Sequence, residues 1–192
     1  MAFLNVYEQC LANAVFGRDA LDKGEYDSCR FDGCDFSSAD LSDCRFMDCT
    51  FTDCDFSNAQ LTDTAFQDVV FKNCKLQGLV FADCNGFGFN VAYHSCQLNY
   101  SVFHRMKLQG IQITDSQLHS VDFSETDLGR ASILRCDLRD ATFEHTNLEK
   151  ADLRGCRNYI INPGINRLKG ARFSLPDVVG LLSVYGVKIE GA

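Results

Sequence analysis

The chain has 192 residues, 46% of them hydrophobic, and its 26 acidic and 18 basic residues give a net charge of −8. This composition is typical of a folded chain with a packed core, and the acidic balance disfavours binding to nucleic acid. No apolar run approaches the roughly 20 residues that a membrane span needs, and the N-terminus lacks the pattern of a signal peptide. We therefore expect a cytoplasmic protein that does not associate with membranes.

Large apolar residues recur at every fifth position, a period that fits neither an α-helix nor a simple strand. One series runs without exception from Phe16 to Phe81 and a second from Leu98 to Leu153. The position two before each large residue is usually small, and the other three positions are mostly polar. A chain that turns a corner every five residues would bury one large and one small side chain per repeat, with coils about 4.8 Å apart. The period thus predicts a solenoid.

Segments such as "ADLSD", "CDFSN", "ADLRG" and "TNLEK" resemble the pentapeptide-repeat family, whose motif is A(D/N)LXX with Phe often in place of Leu. The resemblance covers residues 16–157. It implies an all-β solenoid, a right-handed quadrilateral β-helix with four repeats in each coil. We assign residues 1–173 to this β-helix, with an interrupting loop near 84–96, and residues 174–192 to a C-terminal capping and dimerisation segment.

Ten of the eleven cysteines fall at the small inward position or at the edges of the interruption, and only Cys10 does not. A buried thiol behaves as a small apolar group, and the chain has no pair with the CxxC-like spacing of a zinc site. A reducing cytosol disfavours disulfides. The cysteines are therefore predicted to fill the core, and we expect no metal and no cofactor.

Nothing in the repeat predicts catalysis. His104, His119 and His145 follow the large residues closely and should point outward, while His94 lies in the interruption. A filled solenoid leaves no pocket for a nucleophile, a histidine and a carboxylate, and no phosphate-binding glycine loop is present. We expect a protein that is not an enzyme and has no catalytic residues.

Nearly all of the net charge lies in the first series. Residues 25–83 contain 12 acids and 4 bases, a balance of −8, whereas residues 97–157 contain 9 acids and 8 bases, a balance of −1. Outward acids twenty residues apart, such as Asp35 with Asp55 and Asp48 with Asp68, should form ladders between coils. Adjacent like charges cost stability, so these acids are candidate partner-binding residues. A solvated face that keeps the rod soluble is the alternative.

The interruption "DCNGFGFNVAYHSC" places aromatic side chains outside the five-residue phase. Because loops and aromatic residues often make protein contacts, Phe87, Phe89 and Tyr93 are candidate partner-binding residues, with packing onto the rod as the alternative.

The C-terminal pattern predicts a cap. Ser174 and Pro176 are typical of a helix start, Gly186 of a helix end, and we expect a helix over residues 175–185 and a short strand at 187–189. A solenoid needs its open end covered, so this segment is either a cap alone or a cap whose apolar surplus also pairs two molecules. The predicted dimer interface comprises Val178, Leu181, Leu182, Tyr185, Val187 and Ile189.

The tail segments "INPGINR" and "ARFSLPDVVGLL" are similar to the tails of the topoisomerase-protecting pentapeptide-repeat proteins, the group of the Qnr, albicidin-resistance and microcin B17 immunity proteins. The resemblance implies a C-terminal homodimer that mimics duplex DNA, binds DNA gyrase or topoisomerase IV, and protects the enzyme from quinolone-like poisons. Qnr proteins typically carry two loops, and here one interruption is visible. A generic repeat scaffold with a different protein partner is the alternative function.

Overall fold

The computed structural model describes residues 4–17, 21–188 and 190, and in these residues the chain forms a parallel β-solenoid. One sheet has four strands in the order β1-β3-β5-β7, and the other has seven in the order β11-β10-β9-β8-β6-β4-β2. The strands are β1 Leu4–Tyr7, β2 Cys10–Ala12, β3 Gly24–Asp27, β4 Arg30–Asp32, β5 Arg45–Met47, β6 Thr50–Thr52, β7 Ala65–Gln67, β8 Val69–Lys72, β9 Val91–His94, β10 Gln112–Thr114 and β11 Ser132–Leu134.

Successive coils stack in register at twenty-residue spacing, so that Arg30 pairs with Thr50 and Phe31 with Phe51. Isolated parallel bridges continue the register on the two sides without regular strands, as in Asp35 with Asp55 and Asp40 with Gln60. The solenoid therefore has four faces, and the predicted quadrilateral fold is confirmed. We number the faces by their buried large residues: face 1 contains Tyr26 and Phe46, face 2 Phe31 and Phe51, face 3 Phe36 and Phe56, and face 4 Leu41 and Leu61.

The large residues form stacked columns inside the solenoid. Phe31 and Phe51 stack with ring centroids 4.6 Å apart, and Phe36 and Phe56 with centroids 4.5 Å apart. All four side chains are at most 1% exposed. One coil therefore supplies each column with one ring or aliphatic side chain, and stacking together with apolar burial holds the coils together.

The chain turns each corner at the residue two after the large one, and this residue often has a left-handed backbone. Asp48, Asp63 and Asp68 have φ values of 51°, 55° and 53°. Aspartate, asparagine and glycine tolerate this conformation better than most residues. The turn thus accounts for part of the Asp content of the corners.

The five-residue repeat begins earlier than the series that starts at Phe16, within the residues assigned to the β-helix. Strands β1 and β2 pair with β3 and β4, which extends the repeat back from Phe16 through Leu11 to Val6. Val6 and Leu11 are only partly buried because they have a neighbouring coil on one side.

The C-terminal segment differs from the prediction. Two 3₁₀ helices, Asp177–Leu181 and Ser183–Tyr185, replace the single predicted helix, and no side chain caps either one. Gly180 packs so closely on the solenoid that a Cβ atom there would lie 2.0 Å from the Tyr159 carbonyl oxygen. This contact holds the segment against the last coil at a position where a larger residue would not fit. Val187 and Lys188 are not in a strand, and Ile189 lies outside the described residues.

Candidate interaction surfaces

The four predicted acidic residues point outward. Asp48 and Asp68 are exposed on the corner between faces 1 and 2, one coil apart, and Asp35 and Asp55 are half-buried neighbours on face 3. The carboxylates of the face 3 pair cap their own turns, since Asp35 Oδ1 accepts the Ser37 amide at 2.8 Å and Asp55 Oδ1 accepts the Ser57 amide at 2.9 Å. These two aspartates thus have a structural role that the exposed pair lacks.

Asp55 is also paired with a base. Lys75 Nζ lies 3.3 Å from its Oδ2. Burial alone would raise the pKa of Asp55, but hydrogen bonds from Ser57 and the charge of Lys75 outweigh burial and lower it. Asp68 has a neutral partner instead, because Asn90 Nδ2 donates to its Oδ1 at 2.6 Å. Of these two acids, Asp68 therefore keeps more of its charge available to a partner.

The structure reveals a second acidic column that the sequence reasoning missed. Asp43, Asp63 and Asp83 follow one another on the corner between faces 4 and 1, and we call them the acidic edge. The amide of Asp63 donates to the carbonyl of Asp83 at 2.9 Å, which places these residues on adjacent coils. Asp43 is paired with Lys23 at 3.1 Å, whereas Asp63 and Asp83 have no ion-pair partner within the described residues. The signal available in the sequence was the same twenty-residue spacing at the corner position.

Several acids of the C-terminal half are paired with bases, most of them on neighbouring coils. Arg135 binds Asp115 through two hydrogen bonds of 2.6 Å, and Arg105 binds Glu125 through bonds of 2.9 and 3.0 Å. Asp152 lies between Arg154 and Arg172, with distances of 2.7 and 3.2 Å. Unbalanced negative charge is therefore a property of the N-terminal half, as its composition indicated.

Asp137 is the most buried of these acids, with 7% exposure. Asn158 Nδ2 donates to it at 2.8 Å and Arg157 Nε at 3.2 Å, while His119 Nε2 lies 3.3 Å away. Burial raises its pKa, but the bonds from Asn158, His119, the Arg139 amide and Arg157 together lower the pKa to about 2. This cluster links three successive coils along face 3.

The interruption is shorter than predicted. Tyr93 is fully buried in β9 and belongs to the core, so its assignment to an exposed loop was wrong. Phe89 is partly buried and packs edge-on against Phe66 and Phe81, with centroid distances of 6.4 Å to each ring. Phe87 is 82% exposed at the tip. The loop therefore spans residues 84–90 and offers one exposed aromatic side chain, Phe87.

The C-terminal segment exposes apolar side chains beyond the end of the solenoid. Leu182 is 44% exposed, Tyr185 59% and Val187 54%, whereas Val178 and Leu181 are partly buried against the rod. Leu175, outside the predicted interface, is the most exposed at 84%. The segment both covers the last coil and leaves an apolar surface uncovered.

The family comparisons agree with this geometry. A model of the pentapeptide repeat region matches residues 25–86, and a model of eight-copy pentapeptide repeats matches residues 136–157. The chain contains pentapeptide repeats. Both matched segments lie within the stacked coils, one on each side of the loop.

The fold is shared with a solved pentapeptide-repeat structure, and other structures of this kind were also matched. A trypsin-treated variant of QnrB1, a plasmid-mediated fluoroquinolone resistance protein, is 16% identical with a TM-score of 0.61, and the match covers 96% of this chain and 99% of that one. Full-length QnrB1 is 21% identical over 94% and 99% of the two chains, with a TM-score of 0.47. HetL, involved in heterocyst differentiation regulation in Nostoc, is 17% identical over 90% of each chain, with a TM-score of 0.35. No curated protein matched the chain significantly.

The cysteines of this chain are free thiols in the core. Nine are buried, Cys84 is partly buried and Cys10 is exposed. Cys49 Sγ donates to the Tyr26 carbonyl at 3.1 Å, and burial raises the pKa of this thiol to about 12. The predicted role of core filling is confirmed for the buried nine, and such thiols are poor nucleophiles.

No cluster of His, Cys, Asp and Glu side chains suited to a metal ion occurs among the described residues. Over the same residues, no helix has the length and hydrophobicity needed to cross a membrane. His104, His119 and His145 lie on the outside of the coils, as predicted.

Proposed function

We propose that this protein is a non-enzymatic DNA mimic that binds a type II topoisomerase, DNA gyrase or topoisomerase IV, and protects it from quinolone-like poisons. The observation that carries the proposal is the acidic edge of Asp43, Asp63 and Asp83, beside the exposed pair Asp48 and Asp68 on the next corner. Carboxylates repeat there at the coil spacing of about 4.8 Å, against one phosphate for about every 3.4 Å of helix axis on each DNA strand. A basic DNA-binding groove would meet similar rows of negative charge.

The corner conformation alone does not explain these aspartates. In the C-terminal half, equivalent left-handed corners are occupied by bases, with φ values of 61° at Arg105, 59° at Arg130 and 59° at Lys150. The backbone therefore accepts either sign of charge at this position. The N-terminal half has aspartates on the acidic edge and at Asp48 and Asp68, and selection for a basic partner accounts for this preference for acids.

The dimensions of the rod suit the proposal. The seven-stranded sheet is extended by bridges from Ser132 to Asp152 and from Asp152 to Arg172, which makes nine rungs on face 2. Nine rungs about 4.8 Å apart span about 38 Å, the length of about 11 base pairs. Two copies joined through the exposed apolar side chains of the C-terminal segment, Leu175, Leu182 and Tyr185, would double this length.

The fold of QnrB1, a fluoroquinolone resistance protein, supports the choice of partner and poison. A scaffold for another protein is the second candidate, because Phe87 at the tip of the loop is 82% exposed and an exposed aromatic side chain is typical of a protein contact. The DNA mimic would bind its partner through the acidic edge, whereas the scaffold would bind through the loop that carries Phe87.

A supercoiling assay with purified gyrase and a fluoroquinolone tests the proposal. Titration with the protein should restore supercoiling and reduce cleaved DNA. The variant Asp43→Asn, Asp63→Asn, Asp83→Asn should lose this effect because the acidic edge is neutralised.

The matched control is Asp122→Asn, Asp140→Asn, Glu144→Gln, which removes the same number of charges from the C-terminal half. This control should protect as the wild type does. Equal protection by both variants would reject the acidic edge as the binding surface. No protection by the wild type would reject the proposed function.

A further inference from the structure

A cavity of about 380 Å³ lies between the loop and the following coil. It forms where the repeat is broken. In the column of Tyr26, Phe46 and Phe66, the next large position falls on Gly88, which has a φ of 69° and no side chain. Phe89, the next residue, packs beside this position and remains partly exposed, so the column has a gap at this coil.

A second break occurs one coil later on the same face. The small inward position there is occupied by Met106, whereas the corresponding positions of other coils hold Cys44, Thr64, Thr126 and Thr146, all buried. Met106 is only partly buried and lines the cavity with Phe89 and Cys84. Methionine is flexible and polarisable, and adapts its shape to an apolar ligand. Gly88 thus leaves a large position empty, and Met106 is too large for the small inward position one coil later. Together these two irregularities form the apolar wall of the cavity.

The interior below this wall is also irregular. Tyr93 carries a polar atom in a column whose neighbouring members, Phe51, Phe71, Ile113 and Ile133, are all apolar. Its hydroxyl is buried and has no hydrogen-bond partner among the described residues. Burial, and then the neighbouring thiols of Cys84 and Cys96, raises the pKa of Tyr93. Cys84, whose thiol acts on this hydroxyl, is itself one of the residues that line the cavity.

The rim of the cavity is basic. His104, Arg105 and Lys107 line it, and none of its lining residues is acidic. Arg105 is held by Glu125 through two hydrogen bonds, and His104 lies 3.9 Å from the same carboxylate. Lys107 is exposed, with no ion pair or side-chain hydrogen bond among the described residues. One free ammonium group thus stands at the edge of an apolar cavity.

We propose that this cavity binds a small aromatic carboxylate, with the ring against Phe89 and Met106 and the carboxylate at Lys107. The volume lies in the range of small-ligand pockets, and the combination of apolar walls with one charged group is typical of them. Gly86 and Gly88 flank Phe87 next to the cavity, and Gly86 has no atom near its Cβ position. The loop has room to adjust around the ring.

The probe for a test is 2-naphthoate, with neutral 2-naphthamide for comparison. The chain has three methionines, so [¹³C]methyl-methionine NMR gives few signals. Addition of 2-naphthoate should shift the Met106 methyl signal and leave that of Met47 in place, with saturation at a dissociation constant on the order of a millimolar or below, as expected for a fragment. 2-Naphthamide should bind at least fivefold more weakly.

Two variants locate the site. Lys107→Gln should weaken 2-naphthoate binding at least fivefold without changing the affinity for 2-naphthamide, and Phe89→Ala should weaken binding of both. Lys150→Gln, on the corner between faces 1 and 2 two coils away, is the matched control and should bind as the wild type does. An unshifted Met106 signal, equal affinity for acid and amide, or full binding by Lys107→Gln would overturn the proposal.

Discussion

Tyr93 stacks on Phe71 with ring centroids 5.5 Å apart and planes 9° from parallel, although the two residues are 22 positions apart in a solenoid with a period of twenty. The two extra residues are therefore absorbed between them, in the loop at 84–90. The column of face 2 continues through the interruption without a break. The loop is an insertion at one corner of an uninterrupted rod, and any contact it makes is added to a rigid support.

The thiol of Cys49 contributes to stability through packing. Cys49→Ala removes a fully buried sulfur that contacts the Tyr26 carbonyl at 3.1 Å, and we expect the free energy of unfolding to fall by about 1 kcal/mol. Urea denaturation followed by circular dichroism measures this. Cys10→Ala, at an exposed cysteine, is the control and should leave the unfolding midpoint unchanged. Stoichiometric zinc in the purified protein, lost in Cys49→Ala, would contradict the packing role.

Asp137 should make stability depend on acid pH. Its pKa is about 2 in the folded protein and about 3.9 in an unfolded chain, so the folded state favours the charged form. This contribution is complete above about pH 4 and is lost as the pH falls towards 2. The wild type should therefore lose stability over this window by a larger amount than Asp137→Asn, as measured by urea midpoints at several pH values. Asp140→Asn, at an exposed neighbour, should follow the wild type; parallel curves for all three proteins would show that Asp137 is not coupled to folding.

The sequence predicted the solenoid because every coil repeats the same pattern of a large apolar residue at each fifth position. Phe31, Phe51 and Phe71 occupy equivalent places, so one irregular residue cannot disguise the pattern. Tyr93 was misplaced for a local reason. Tyr93 lies five residues before Leu98, and Val91 lies two residues before Tyr93, so both fit the pattern of the second series. The aromatic residues around Gly88 do not fit it, and they obscured the point where the second series begins.

The acidic edge and the C-terminal segment were harder to predict. Asp63 and Asp83 have the same twenty-residue spacing as Asp48 and Asp68, so their alignment follows from the sequence, but only the structure distinguishes them from Asp43, which is paired with Lys23. The path of the C-terminal segment depends on the close approach of Gly180 to Tyr159. That contact joins parts of the chain that share no repeat, and the helical pattern of apolar residues gave no sign of it.

The C-terminal apolar surface should hold two molecules together. Leu175 and Leu182 are 84% and 44% exposed, and Leu175→Asp with Leu182→Asp would place two charges in an apolar contact, where unpaired charge is costly. We expect the double variant to be a monomer and the wild type a dimer by multi-angle light scattering. Leu181 is less suitable for this test because it packs against the rod. A wild-type monomer at tens of micromolar would refute the dimer and halve the length available for mimicry.

Binding of a topoisomerase through exposed carboxylates should weaken steeply with salt, because such charges are screened over about 10 Å at 0.1 M ionic strength. Reversing the exposed pair in Asp48→Lys, Asp68→Lys should abolish binding to gyrase and flatten the dependence of log affinity on log salt. The fold should tolerate this change, since Lys150 occupies an equivalent left-handed corner with a φ of 59°. Circular dichroism establishes that the variant is folded before affinity is measured by biolayer interferometry at several salt concentrations.

Phe87→Ser is the matched loop variant and, under mimicry, should bind within a few-fold of the wild type. Loss of binding in Phe87→Ser together with full-strength binding by the charge-reversed rod would replace mimicry with the loop-scaffold alternative.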